Sequence, residues 1–489
     1  MSTHKMIDCI CITAVFLVLA LTILITVRMT PGIISTASDS LFTTNDLRTD
    51  WDASAATKIT LSDQGITING NGACVLDGNV HLLYAGHYIL TGQLSDGSVV
   101  IDAGKNDQIW ILLSGVTLHC EDDAAIRVEQ AGKVFLTLAE DTENTVTSGP
   151  QYSADAVASG VDGTIYSRDD LTINGNGTLV VDATYHHGIV CNDNLAVTGG
   201  NISVNAAQDG IHANDSVRIK EARLSVSAGD DGITVSNDDE TAFLYIESGN
   251  ITIPDCYEGL EAINVTIAGG TIDIRPTDDG INANGSGTDS AIQITGGDIT
   301  IVNTSGTDAD GLDSNGSIYI DGGRVFISVW DGGGNYALDY GSENGGRCVI
   351  SGGTVIACGS RAMAEGFDKD SPQGFLMCNL SAEAGALIGL QDSMGRELIS
   401  EEIPCGFSSI VLSMPELKAG DVCTLTVNDE KEQITIDNST ASGFSPVGMS
   451  GDGRRNAPEP PGGADFSGGM EPSDDAGFSG GMEPSDDAD

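Results

Sequence analysis

Aliphatic and β-branched residues alternate with polar ones in short runs through most of the chain, and no run keeps the 3.6-residue period of an amphipathic helix. The runs recur as units: LTINGNGTLVVDATYHHGIVCND, LAVTGGNISVNAAQDGIHAND, VRIKEARLSVSAGDDGITVSND, LYIESGNITIPDCYEGLEAIN, VTIAGGTIDIRPTDDGINANG and IQITGGDITIVNTSGTDADGLDSNG. Marker glycines stand at Gly188, Gly210, Gly232, Gly259, Gly280 and Gly311, so spacings of 22, 22, 27, 21 and 31 define one coil with insertions. Each unit holds three period-two segments, the third starting just after the marker. Three strands per coil, stacked on themselves, predict an all-β right-handed parallel β-helix, the hand following from strand-crossover chirality. The residue after each marker (Ile189, Ile211, Ile233, Leu260, Ile281, Leu312) forms an inward aliphatic ladder. Small residues follow two positions on, and an outward column runs between them: Val190, His212, Thr234, Glu261, Asn282, Asp313. Insertions are expected at the corner between second and third strands.

Less regular coils extend upstream, so the solenoid is expected over 58–365, followed by a small β cap over 366–442 that covers its open end. Residues 443–489, in which FSGGMEPSDDA occurs twice, have the composition of a disordered Gly/Pro/acid-rich tail. At the other end, residues 9–27 are uninterruptedly apolar between Lys5 and Arg28. Nineteen residues at about 1.5 Å each reach roughly 28 Å, the thickness of a bilayer core. Residues 1–30 are therefore expected to be a single-pass transmembrane anchor, with 31–57 a linker and the bulk extracellular; secretion after signal cleavage is the alternative.

With 71 Asp plus Glu against 21 Lys plus Arg, the net charge is −50. That excludes direct nucleic-acid binding, which needs clustered cations, and disfavours docking of the folded part on anionic lipid. Contact with the membrane is left to the N-terminal segment. The 63 glycines and scarce aromatics suit short strands and tight turns. Nine cysteines follow the apolar segment without zinc-type spacing, an odd number that predicts buried thiols rather than a disulfide framework.

Candidate chemistry lies in the column before the markers: His187, Asp209, Asp231, Glu258, Asp279 and Asp310. Coils about 4.8 Å apart stack these carboxylates within repulsive reach. In three successive coils the outward position adds Glu261, Asn282 and Asp313, and Asp278 and Asp308 lie beside them. Such density of like charge favours a hard cation, and Ca²⁺ takes six to eight oxygens. The expected metal set is Glu258, Glu261, Asp278, Asp279, Asn282, Asp310 and Asp313; a solvated acidic face is the bland alternative. The column Asn192, Asn214, Asn237, Asn264, Asn284 and Asn315 is expected to tolerate left-handed turns and stack its amides. His186, His187 and His212 offer weaker metal-binding potential.

The units DGIHAND, DDGITVSND and DDGINANG, the opening ITLSDQGITINGNG and the segment SSIVLSMPELKAGDVCTLTV resemble the bacterial carbohydrate-binding right-handed β-helix family. The resemblance spans roughly 58–440 and implies a pectate-lyase-like fold, calcium on the coils and binding of cellulose or polygalacturonate. The expected function is non-catalytic, calcium-dependent binding of a plant cell-wall polysaccharide. Calcium reconciles a −50 protein with an anionic polyuronate by bridging carboxylates. A neutral glucan instead wants aromatic surfaces, for which Trp330, Tyr336 and Tyr340 are the candidates. The alternative is a calcium-dependent polysaccharide lyase with Arg275 or Lys220 as base. A surface-display or adhesin solenoid is the third reading.

Overall fold

The computed structural model describes residues 41–438 except 51–52, 238–240, 305, 307–308 and 333. The expected anchor and tail, and Asp308, lie outside the described residues. Among the described residues no helix is long and apolar enough to cross a membrane.

Three strands make each regular coil. Asn194–Val197, Asn201–Ala206 and Ile211–Ala213 are followed by Ser216–Ile219, Ala222–Ala228 and Ile233–Val235. Each strand pairs in parallel with its counterpart one coil on, placing Leu195 opposite Val217, Ile202 opposite Leu224 and Ile211 opposite Ile233. The third strands form a 12-stranded sheet, and the other two columns join cap strands in a 22-stranded one. The chain is thus an all-β solenoid. Its described α-helix is the five-residue Ala154–Ala158, where Ser153 accepts the Ala156 N–H at 3.3 Å.

Register sets the core. Ile189, Ile211, Ile233, Leu260, Ile281, Leu312 and Leu338 lie in one line. All are fully enclosed, at 0–1% exposure. Each such side chain contributes about 1.5–3 kcal/mol of transfer free energy. The marker glycines serve this packing. A Cβ on Gly210 meets Val226 Cγ1 at 2.0 Å and the Gly232 carbonyl oxygen at 2.8 Å; on Gly280 it meets the Gly311 oxygen and Ile301 Cγ2, both at 2.5 Å. None of the six has positive φ, so close approach between coils, not a left-handed turn, demands glycine here.

Two sequence expectations need correction. No member of the asparagine column adopts a left-handed backbone. Coil-to-coil bonds there run between backbones and from amide to other side chains: the N–H groups of Asn214, Asn284 and Asn315 donate to the carbonyls of Cys191, Ala262 and Ala283 at 3.0–3.1 Å, and Asn192 Nδ2 donates to the Tyr166 hydroxyl at 3.0 Å. Insertions also fall at two corners. Residues 304–311 separate second and third strands, as expected, but 236–242 and 284–290 follow a third strand. A spacing between markers spans both corners and does not say which one grew.

The last parallel strand, Cys348–Gly359, pairs antiparallel with Phe407–Ser413, which pairs in turn with Phe375–Ala382. A four-stranded antiparallel sheet (Ala386–Gln391, Glu397–Ile403, Val422–Val427, Glu430–Thr435) completes the C-terminal part. Ile388 of this sheet, with Leu412 and Phe407 of the strand Phe407–Ser413, shares one apolar cluster with Phe326, Ile356 and Cys358 of the solenoid. All nine described cysteines are free; eight are buried and Cys74 is exposed.

Part of the expected linker is docked on the solenoid. Phe42 is buried, and the fully buried Asp46 carboxylate meets Lys133 Nζ at 2.9 Å and accepts from Thr172 Oγ1 at 2.6 Å. The Asp46 carbonyl accepts from Thr198 and Asn174.

Candidate functional site

The 12-stranded sheet aligns the outward residues Val190, His212, Thr234, Glu261, Asn282, Asp313 and Asp339. Val190 is covered by Tyr152, Ala156 and Tyr166, so the polar stripe begins below that apolar patch. Asp339 is a stripe member that sequence reasoning missed. Its coil has Tyr336 and Ala337 where the five preceding coils have an acid and glycine, and register with Asp313 reveals it.

The acids before the markers have a structural task as well. Asp231 Oδ1 accepts the Glu258 N–H at 3.1 Å, Asp279 Oδ1 the Asp310 N–H at 2.7 Å, and Asp310 Oδ1 the Tyr336 N–H at 2.6 Å. One oxygen of each thereby satisfies a backbone donor of the following coil, and Asp279 and Asp310 are buried as a result. Outward neighbours are tied in too. Thr234 Oγ1 donates to Glu261 at 2.5 Å, Asn284 Nδ2 donates to Glu261 Oε1, and Asn282 Nδ2 donates to both Glu258 oxygens at 3.1 Å.

Burial, and then neighbouring carboxylates, push Glu258 to about 9 and Asp231 to about 8. Burial likewise raises Asp279 to about 8 and Asp310 to about 9, adjacent aspartates adding to it and the backbone N–H bonds opposing it. Asp209 goes the other way. Burial raises it, but the adjoining imidazoles of His187 and His212 outweigh that and hold it well below the usual carboxylate range.

At the downstream end, oxygens of Asp310, Asp313 and Asp339 lie within 4.8 Å of one another. They adjoin a cleft of about 410 Å³ lined by Asp313, Asp339, Tyr336, Tyr340, Glu343 and Glu365. Further along the stripe, Asn282 Oδ1 and Asn284 Oδ1 are buried with no donor. Closely spaced carboxylates beside unsatisfied amide oxygens form an all-oxygen donor set, which fits a hard dication. Glu258, Glu261, Asp279, Asn282, Asp310 and Asp313 fall on this stripe. Asp278 is half-buried beside it and takes a hydrogen bond from Tyr257, whose hydroxyl is raised to about 12 by that bond.

The aromatic trio does not assemble. Tyr336 and Tyr340 line the acidic cleft, Tyr336 at only 6% exposure, whereas Trp330 is 44% exposed in a separate cleft of about 310 Å³ with Asp331, Glu383 and Phe407. The strand ending at Val329 belongs to the large sheet and the one starting at Leu338 to the 12-stranded sheet, so the connecting corner carries Trp330 to a different flank. The candidate bases are paired elsewhere. Arg275 Nε meets Asp273 at 3.0 Å, and Lys220 Nζ meets Glu247 at 2.5 Å and lies over the Phe42 ring. Arg275 sits on a strand of the 22-stranded sheet rather than on the stripe.

Comparison with known proteins adds the family. A solved structure described as the polysaccharide lyase-like protein from C. thermocellum, a gadolinium derivative, matches at 30% identity and a TM-score of 0.44, covering 54% of this chain and 96% of that one. A relative from Acetivibrio thermocellus named carbohydrate-binding domain-containing protein is 36% identical over 139 residues, 28% of this chain and 49% of the relative. The chain therefore spans about half the length of that relative. The family model described as carbohydrate-binding domain-containing protein matches residues 76–333, more than half of the 489. With that coverage, and with the matched residues forming β-solenoid coils, the chain belongs to this carbohydrate-binding β-helix family.

Proposed function

We propose that the chain binds an anionic polysaccharide of the polygalacturonate class through calcium held on the acidic stripe, without cleaving it. The observation that carries this is the convergence of Asp310, Asp313 and Asp339 at the mouth of the acidic cleft, in a protein of net charge −50. Such a surface repels a uronate polymer until a cation is shared between the two sets of carboxylates. Asp310, Asp313 and Asp339 would hold the ion at the cleft, and Glu258, Glu261, Asp279 and Asn282 continue the donor set upstream. Calcium would supply charge neutralisation and coordination positions for sugar oxygens. Tyr340, on the wall of the cleft, would meet the sugar there.

A lyase needs a base beside the metal, and the pairings of Arg275 and Lys220 speak against those two. A second reading, a neutral glucan on Trp330, rests on the exposure of that indole in its own cleft. The apolar stretch 9–27 supports display of the solenoid outside the cell on a membrane anchor.

The test is retention on polygalacturonate and on cellulose, with calcium and with chelator, followed together with the absorbance of unsaturated uronides. Retention on polygalacturonate only with calcium, and no absorbance, supports the proposal. Growth of absorbance overturns the non-catalytic reading. Calcium-independent retention on cellulose alone moves the site to Trp330.

A further inference from the structure

At the upstream end of the stripe the donors change from oxygen to nitrogen. His187 stands before Gly188, Asp209 before Gly210, and His212 at the outward position of the same coil as Asp209. Their ligand atoms lie within 4.8 Å of one another. His187 Nδ1 is 3.1 Å and His212 Nδ1 2.9 Å from the same oxygen, Asp209 Oδ2. We propose that His187, Asp209 and His212 form a site for one transition-metal dication of the zinc class, separate from the all-oxygen stripe downstream.

The hydrogen bonds around these three residues point to a cation. The Asp209 backbone N–H donates to His187 Nδ1 at 3.1 Å, so that nitrogen presents a lone pair. The same nitrogen faces Asp209 Oδ2, and a lone pair against a carboxylate oxygen is repulsive unless a positive centre lies between them. A proton on Nδ1 would relieve that contact only by confronting the amide N–H. A metal bound by all three atoms would take over the Nδ1 lone pair from the Asp209 N–H and replace the Nδ1–Oδ2 repulsion with bonds to one cation. Ligand bonds of about 2.0–2.1 Å put neighbouring donors about 2.9–3.4 Å apart in octahedral or tetrahedral geometry, the range of the two contacts to Oδ2.

The carboxylate is also pre-oriented. Asp209 Oδ1 accepts the Asp231 N–H at 3.2 Å, which leaves Oδ2 for the imidazoles. Asp209 is 5% exposed, while both imidazoles reach the surface. His186 is not part of the set, because its Nδ1 meets Gln208 Oε1 at 2.5 Å and its ring packs edge-on against Tyr185. The exposed Asp230 has a carboxylate oxygen within 4.8 Å of Asp209 and Asp231 and is the nearby candidate for a fourth ligand. Imidazole nitrogens select zinc, cobalt or nickel over calcium, so the two ends of one stripe discriminate by donor type. Because His187 lies one coil before Asp209 and His212, the metal would staple adjacent coils.

Cobalt(II) is the probe. The full-length protein in detergent, stripped of metal and kept in excess calcium, is titrated with cobalt while the visible d–d bands are recorded. One saturating equivalent with nitrogen-ligand bands, displaced by zinc and not by calcium, is expected. His212→Gln should abolish that signal while circular dichroism stays unchanged, and His187→Gln should do the same. Asp310→Asn should keep it, which separates this site from the calcium reading. Absence of a saturable cobalt signal in the presence of excess calcium, or a signal undiminished in both histidine variants, overturns the proposal.

Discussion

Asn282 donates its amide N–H groups to both carboxylate oxygens of Glu258 at 3.1 Å, one coil apart, while its own Oδ1 is buried without a donor. The amide softens repulsion between stacked acids and leaves an oxygen available to a cation. Asn282→Asp should therefore destabilise the metal-free protein by about 1–3 kcal/mol, since it removes the bonds to Glu258 and adds a charge. Calcium should recover more stability in this variant than in the wild type. Denaturant melts of both proteins, with and without calcium, measure the difference.

The carboxylate pKa values give a pH signature in the metal-free protein. Asp231, Glu258, Asp279 and Asp310 are raised to about 8, 9, 8 and 9 in the fold. A raised folded pKa contributes stability that is fully present below the unfolded value, about 4, and is lost as pH rises through the folded value. Chelator-treated protein should lose stability between about pH 4 and pH 9, and calcium should flatten that loss. Melting temperatures across this range with chelator and with calcium provide the comparison.

Gly280 and Gly287 separate packing from backbone strain. A Cβ at Gly280 enters the space of the next coil, whereas Gly287, at φ +69°, has nothing within 4 Å. Gly280→Ala should cost about 1–3 kcal/mol or more through overpacking, and Gly287→Ala about 1 kcal/mol through φ alone. Equilibrium unfolding of the two variants ranks them.

Much of this architecture was legible in the chain. The inward ladder from Ile189 to Leu312 and the marker glycines follow from a coil too tight to admit anything else, so the pattern repeats and register can be counted. The acidic stripe was legible for the same reason as far as Asp313. It was lost at Asp339 because Tyr336 and Ala337 replace the acid and glycine that mark the earlier coils. Asp46 was invisible: its partners Lys133, Thr172, Asn174 and Thr198 lie far along the chain, and no periodicity connects them. Trp330 and Tyr336 are close in sequence yet flank a corner between two sheets, so proximity along the chain misplaced them as one surface.

Docking of residues 41–50 rests on Asp46. Burial raises its pKa, but the bonds from Lys133 and Thr172 prevail and hold it below the usual value. A lowered folded pKa contributes stability that is present above the unfolded value, about 3.9, and lost as pH falls through the folded one. Asp46→Ala leaves the largely buried Lys133 without this partner, a change of the kind that costs about 3–5 kcal/mol. Proteolysis within 41–50 should become fast in this variant, and in the wild type below about pH 4, while the coils stay resistant.

The cation on the acidic stripe is tested most directly by melting the protein with calcium and with chelator at neutral pH, alongside Asp310→Asn/Asp313→Asn. Calcium at a hundredfold excess over its Kd should stabilise the wild type by about 2.7 kcal/mol. The double variant, with two carboxyl groups fewer at the cleft and none at position 310 to be kept un-ionised by burial, should melt higher than the wild type in chelator and gain little from calcium. Identical wild-type transitions in calcium and in chelator, with no calcium retained on elemental analysis, would contradict a cation on this stripe.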